Sequence, residues 1–141
     1  MNRIDRGECH TMILQTTLCL AAAAAVINFW LAFRTGKLRF GAKVLHGDGG
    51  NPLLLQRMRA QANFVENTPF VLILVAAIEM TGKGGKWLAI VGSIYMLARV
   101  GHAFGMDQTK PHPLRMIGFG VTVLTLLGLS AVAVLISLGR I

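Results

Sequence analysis

Charge is scarce in this chain of 141 residues: only 14% are Asp, Glu, Lys or Arg, where a soluble domain carries about 25%. Acid is scarcer still, 6 Asp and Glu against 14 Lys and Arg. Cysteine is limited to Cys9, in a polar tail, and Cys19, in an apolar run. That spacing suits neither a disulfide framework nor a metal site, and it leaves the redox compartment unread. No Ser/His/Asp arrangement occurs, no cysteine nucleophile with its base, and no His/Cys metal spacing. A nucleophile or metal held by the protein is therefore not expected, and any reactive group should arrive with a bound small molecule. Gly47-Asp48-Gly49-Gly50 lacks the Gly-Lys-Ser/Thr ending and the preceding strand of a phosphate loop. It reads as a flexible turn, with Asn51 as N-cap and Pro52 at the first helical position.

Apolar residues, by contrast, make up 54% of the chain and stand in blocks long enough to cross a bilayer. The expected class is all-α integral membrane. The net charge of +8 could suggest nucleic acid. The basic residues, however, flank apolar blocks, as they do where they set membrane orientation, so the expected partner is a lipid bilayer and not nucleic acid. Residues 1–11 read as a polar N-terminal tail, with Met12 a possible alternative start, and 12–141 as one membrane domain. The first helix is expected over Met12–Phe33. Its Ala21–Ala25 run resembles a signal-peptide cleavage region, but apolar cores of signals run about 7–15 residues. This block continues through Val26, Ile27, Phe29, Trp30, Leu31 and Phe33, so it reads as a retained transmembrane helix with Trp30 as interfacial anchor.

Residues 34–51 read as a basic loop, and the second helix as 52–80. At 1.5 Å per residue that helix is roughly 43 Å long, against a hydrocarbon core of about 30 Å, so its front end projects. Pro69 leaves the Val65 carbonyl without its helical partner and is expected to kink the helix. Thr81–Lys86 is a tight turn. The third helix is expected over 87–104 and the fourth over 114–138, which gives an up-down-up-down bundle of four transmembrane helices. Gly101 and Gly105 match a small-xxx-small packing pattern. The side holding the 1–2 and 3–4 connections carries Arg34, Lys37, Arg39, Lys43, Arg57, Arg59, Lys110 and Arg115. The other side has Arg3, Arg6, Lys83, Lys86 and Arg140. This excess places the basic loops in the cytoplasm and both termini outside.

One stretch carries chemistry. Arg59, Asn63 and Glu66 are spaced i, i+4, i+7, within roughly 60° on one face of the second helix. A cation, an amide and an anion entering lipid are costly, and such groups usually face a bundle interior and mark a site. Arg34 at the end of helix 1, Arg99 and His102 late in helix 3 (with Tyr95 on the same face) and Arg115 at the start of helix 4 are expected at the same level. Together they suit a small zwitterionic or anionic ligand: Arg for carboxylates, Asn for peptide amides, Glu for an ammonium group. An Arg near a thiol could also hold it as thiolate. Simpler readings remain open: an Arg59–Glu66 pair fixing bundle geometry, Arg34 and Arg115 as snorkelling anchors, and His102 as structural.

Arg59-Ala60-Gln61-Ala62-Asn63-Phe64-Val65-Glu66, followed by Asn67-Thr68-Pro69, resembles the helix-2 signature of the MAPEG family, the membrane-associated proteins in eicosanoid and glutathione metabolism, in a bacterial-type form. The chain length, four helices, basic first loop and Ala98-Arg99 are similar too. The resemblance implies a four-helix membrane bundle assembled as a homotrimer. It implies glutathione as co-substrate, bound between subunits near the cytoplasmic face, and a lipophilic small molecule as second substrate. Arg59, Asn63 and Glu66 resemble the tripeptide-binding residues, and Gln61 one that reaches a site on the adjacent subunit. Arg34 resembles an arginine ending helix 1, and Arg115 the arginine that stabilises the thiolate in some members. Asn67 stands where an aromatic is usual, and His102 and Met106 where some members have tyrosines.

The implied function is a membrane-bound glutathione transferase or peroxidase acting on lipophilic electrophiles or lipid hydroperoxides, most naturally in a bacterial inner membrane. Arg115 would be catalytic, and Arg34, Arg59, Gln61, Asn63, Glu66, Arg99 and His102 would bind glutathione. The alternative is a non-enzymatic scaffold or lipid-binding trimer that keeps the fold and has lost glutathione. A small transporter or channel subunit is a third reading, but helices 1 and 4 offer few polar residues for a path.

Overall fold

The computed structural model describes residues 14–141, so the N-terminal tail expected over residues 1–11, with Met12 and Cys9, lies outside it. Four helices follow one another: α1 (Gln15–Ala42), α2 (Pro52–Met80), α3 (Lys86–Met106) and α4 (Pro113–Ser137). All four are long and apolar enough to cross a membrane. The expected α2 boundaries coincide with those found, and those of α3 and α4 lie within two residues.

The end of α1 corrects the sequence reading. The stretch from Arg34 to Ala42, expected as loop, continues the helix for more than two turns. Its Lys and Arg are good helix formers, and basicity alone stops nothing. The helix ends where Lys43 turns left-handed (φ 54°). There the Val44 N–H bonds to the Arg39 carbonyl at 3.0 Å and the Lys43 N–H to Phe40 at 3.3 Å, a Schellman closure. At the other end α1 has no side-chain cap of its own. Glu79, from the last turn of α2, supplies one: its carboxylate accepts from the Thr16 and Thr17 N–H groups at 2.8 Å and from the Thr17 hydroxyl at 2.7 Å. For α2 the cap is local, with Asn51 Oδ1 accepting from Leu53 and Leu54 N–H at 3.0 and 3.1 Å. Pro69 sits inside α2 without ending it.

Helix contacts define the bundle. α1 packs on α2 and α3, α4 packs on α3 and α2, and α2 meets α3, while α1 and α4 do not touch. The order around the bundle is therefore α1-α2-α4-α3, with α2 and α3 across its diagonal. Chain direction alternates, as expected, but two of the four side-by-side pairs, α1 with α3 and α2 with α4, run parallel. The core between them contains Leu20, Leu31, Phe64, Val71, Val75, Leu88, Tyr95 and Leu129. Phe29, Phe33, Leu97, Leu124 and Leu127 point outward, where hydrocarbon is the solvent that suits them.

Glycine sets the α3–α4 distance. A Cβ on Gly105 would lie 2.5 Å from the Arg115 backbone nitrogen, and one on Gly118 would lie 2.5 Å from the His102 Cβ. Only hydrogen fits at either place. Gly105 thus serves the expected small-residue packing, against the start of α4. Gly101 meets only the Leu114 side chain, at 3.8 Å.

Candidate functional site

The parallel α2–α4 seam opens into a cavity of about 640 Å³, closed behind by the last turns of α3. Binding sites for small molecules commonly span about 300–1,000 Å³. Arg59, Ala62, Asn63 and Glu66 come from α2, and His102 and Met106 from α3. Arg115, Met116 and Phe119 come from α4, with Pro111 and His112 from the segment before it. The helical spacing of Arg59, Asn63 and Glu66 is what turns them together to one side. Arg115 joins them because Gly105 lets the start of α4 lie against α3. The His102 ring is tethered to the Arg115 carbonyl (Nδ1 to O, 3.1 Å), so it is fixed to the same junction.

Five of the sequence-derived candidates, Arg59, Asn63, Glu66, His102 and Arg115, therefore line one cavity. Arg99 lies behind its wall: it is 2% exposed and reaches Asn63 Oδ1 with Nη2 at 2.7 Å and Thr122 Oγ1 with Nη1 at 3.0 Å. Gln61 is half-buried elsewhere on α2 and does not line the cavity. Tyr95 is buried one turn below Arg99, its hydroxyl 2.9 Å from Thr68 Oγ1. Arg59 and Glu66 form no ion pair among the described residues, where both ion pairs go to Asp107.

Arg34 belongs to a different constellation at the same end of the bundle. Its guanidinium pairs with Asp107, just past α3, and lies 4.5 Å from the Trp30 ring centroid and 5.5 Å from that of Phe104. Arg57 pairs with the same Asp107 at 3.3 Å and donates to the Arg34 carbonyl at 3.3 Å. Within one chain Arg34 therefore faces away from the cavity, towards α3.

The sequence reading passed over Asp107, His112, Met116, Phe119 and Thr122. His112 was legible as a cap: it precedes Pro113, and its Nδ1 accepts from the Leu114 N–H at 3.2 Å. Asp107 was not, since a lone acid in a short connection carries no local signature.

Chemically, the cavity presents two exposed guanidiniums, Arg59 and Arg115, against one carboxylate, Glu66. It adds one carboxamide and two imidazoles over a floor of Ala62, Met106, Met116 and Phe119. That set can hold a small molecule carrying carboxylates and an ammonium group, with an apolar surface beside it.

The model of the MAPEG family matches residues 17–135. The chain is similar to the inner membrane protein YecN of Escherichia coli K12, with 29% identity over 88 residues, 62% of this chain and 67% of that protein. The YecN protein of Escherichia coli O6:H1 matches to the same extent.

Proposed function

This chain belongs to the MAPEG family, and we propose that it is a membrane-bound, glutathione-dependent transferase or peroxidase acting on lipophilic electrophiles or lipid hydroperoxides. One observation carries the reading: Arg59, Asn63, Glu66 and Arg115, brought from two helices, line a single cavity with cations in excess over acid. Glutathione, with two carboxylates, one ammonium group and a thiol, suits that donor set. The guanidiniums would take the carboxylates and Glu66 the ammonium group. Arg115, at the mouth of α4, would hold the thiol in its thiolate form, the nucleophilic species. Met116 and Phe119 offer an apolar approach for a substrate dissolved in the bilayer. Holding the two reactants together and stabilising the thiolate would supply most of the rate.

In this reading the site faces the cytoplasm, because the basic connections lie at its end of the bundle. The protein is a homotrimer in a cell membrane of the inner-membrane kind, as the name of the Escherichia coli relatives suggests. Gln61, turned away from the cavity of its own chain, would then reach the site of a neighbouring subunit.

Equilibrium binding of glutathione to the detergent-solubilised protein, with Arg59→Ala as control, tests the proposal. Saturable binding that the substitution weakens is expected. No binding at millimolar glutathione would remove the enzyme reading. The second reading, a scaffold or lipid-binding protein of the same fold, then takes over. Asn67 favours it, because its amide donates to the Asn63 carbonyl along the helix at 2.7 Å and so supplies no aromatic wall to the cavity.

A further inference from the structure

Arg99 is a cation buried in the bundle, 2% exposed, and it has no carboxylate partner, since both ion pairs among the described residues go to Asp107. Its Nε has no hydrogen-bond partner among the described residues. Burying a guanidinium on neutral partners is costly, which calls for a role beyond packing. Its partners indicate one. Thr122 donates to the Gly118 carbonyl at 2.8 Å, which leaves its oxygen to accept from Arg99 Nη1 at 3.0 Å. The fork's other arm, Nη2, is 2.7 Å from Asn63 Oδ1. One side chain from α3 thus ties α4 to α2, the two helices that frame the cavity.

A guanidinium has five donors and no acceptor. The Asn63 carboxamide must therefore offer Arg99 its oxygen, and its NH2 group must turn the other way. Asn63 lines the cavity, which gives that group a place to donate. We propose that Arg99 is a positioning residue: it locks Asn63 with its NH2 donor towards the cavity, so that the site selects a hydrogen-bond acceptor, a carboxylate or peptide carbonyl, at that point. The same lock disfavours a donor there, because the amide oxygen is turned towards Arg99. The proposal rests on the glutathione reading only in giving that acceptor to a tripeptide.

Solution NMR of protein labelled with ¹⁵N at asparagine alone tests the lock without ligand. The wild type should show one pair of Asn63 side-chain N–H resonances, exchanging with water. Arg99→Lys keeps the charge but loses the fork, and it should shift or average that pair. An unchanged pair overturns the proposal, whatever glutathione does. Asn63→Asp supplies the second test. Its new carboxylate keeps an acceptor for Arg99 and loses the donor to the cavity. Its thermal midpoint should stay at or above that of the wild type, while glutathione affinity falls on the order of tenfold to a hundredfold. Wild-type affinity in that folded variant overturns the proposal. If the wild type shows the locked resonances and binds no glutathione, the lock stands and the glutathione reading falls.

Discussion

Two arginines two residues apart on α2, Arg57 and Arg59, face opposite seams of the same bundle end and meet opposite fates. Arg57 turns towards α1 and the end of α3. There it shares Asp107 with Arg34, whose guanidinium lies near Trp30 and Phe104. Arg59 turns towards α4 and lines the cavity, exposed and in no ion pair among the described residues. Both seams are flanked by a parallel pair of helices, and each sets two guanidiniums against one carboxylate. The first is closed on itself and is a joint. The second keeps its charges open and is suited to a ligand. Buried, mutually paired ions say little about function, whereas cations gathered around an unfilled cavity say more.

Asp107→Ala should break the joint most severely. It leaves two cations, Arg34 at 11% and Arg57 at 22% side-chain exposure, without their acid. The expected loss is about 3 kcal/mol, read by unfolding in mixed micelles, with glutathione affinity of the folded fraction nearly unchanged. If affinity fell and stability held, the two seams would have exchanged roles. Gly118→Ala acts where the cavity meets the bundle. Its methyl group would meet His102 and push α4 outward, costing about 2 kcal/mol and weakening ligand binding together with stability. Glu66→Ala should leave stability within about 0.5 kcal/mol and weaken glutathione binding about tenfold, a loss of roughly 1.4 kcal/mol, seen by titration calorimetry. Arg115→Ala sharpens the point from the chemical side: the thiolate absorbance of the glutathione complex should fall while the melting temperature holds. The smallest effect expected is that of Arg34→Lys. It keeps the ion pair but weakens the contact with Trp30 and Phe104, costing about 0.5–1 kcal/mol with no change in binding.

Much of the open seam was legible in sequence because its residues obey a single helix. Arg59, Asn63 and Glu66 share a face by their spacing alone, and polar groups in an apolar block stand out. Four spans were legible for the same reason. The joint was not: Arg34, Arg57 and Asp107 come from three separate stretches, and their pairing exists only after packing. The order around the bundle was hidden too, since short connections fix alternation of direction but not which helices become neighbours. The α1 extension was missed because Lys37, Arg39 and Lys43 read as a loop, although nothing before Lys43 stops a helix. Arg99 was singled out as a polar group at the site level, but its place behind Asn63 depends on how far α3 sinks into the bundle.

The ring order also governs the field that each seam feels. Because α2 and α4 run parallel, both begin at the bundle end that holds the cavity, and both α1 and α3 finish there. Peptide dipoles make a helix start partly positive and a helix finish partly negative, strongest within the first or last turn. Arg34 and Arg57 reach across to Asp107 at the finish of α3, where the backbone itself favours cations. The cavity, with His112 and Arg115 at the first turn of α4, sits where the backbone favours an anion. Swapping the neighbours of α4 would leave every side chain of the cavity in the sequence and carry that bias away from Arg59, Asn63 and Glu66.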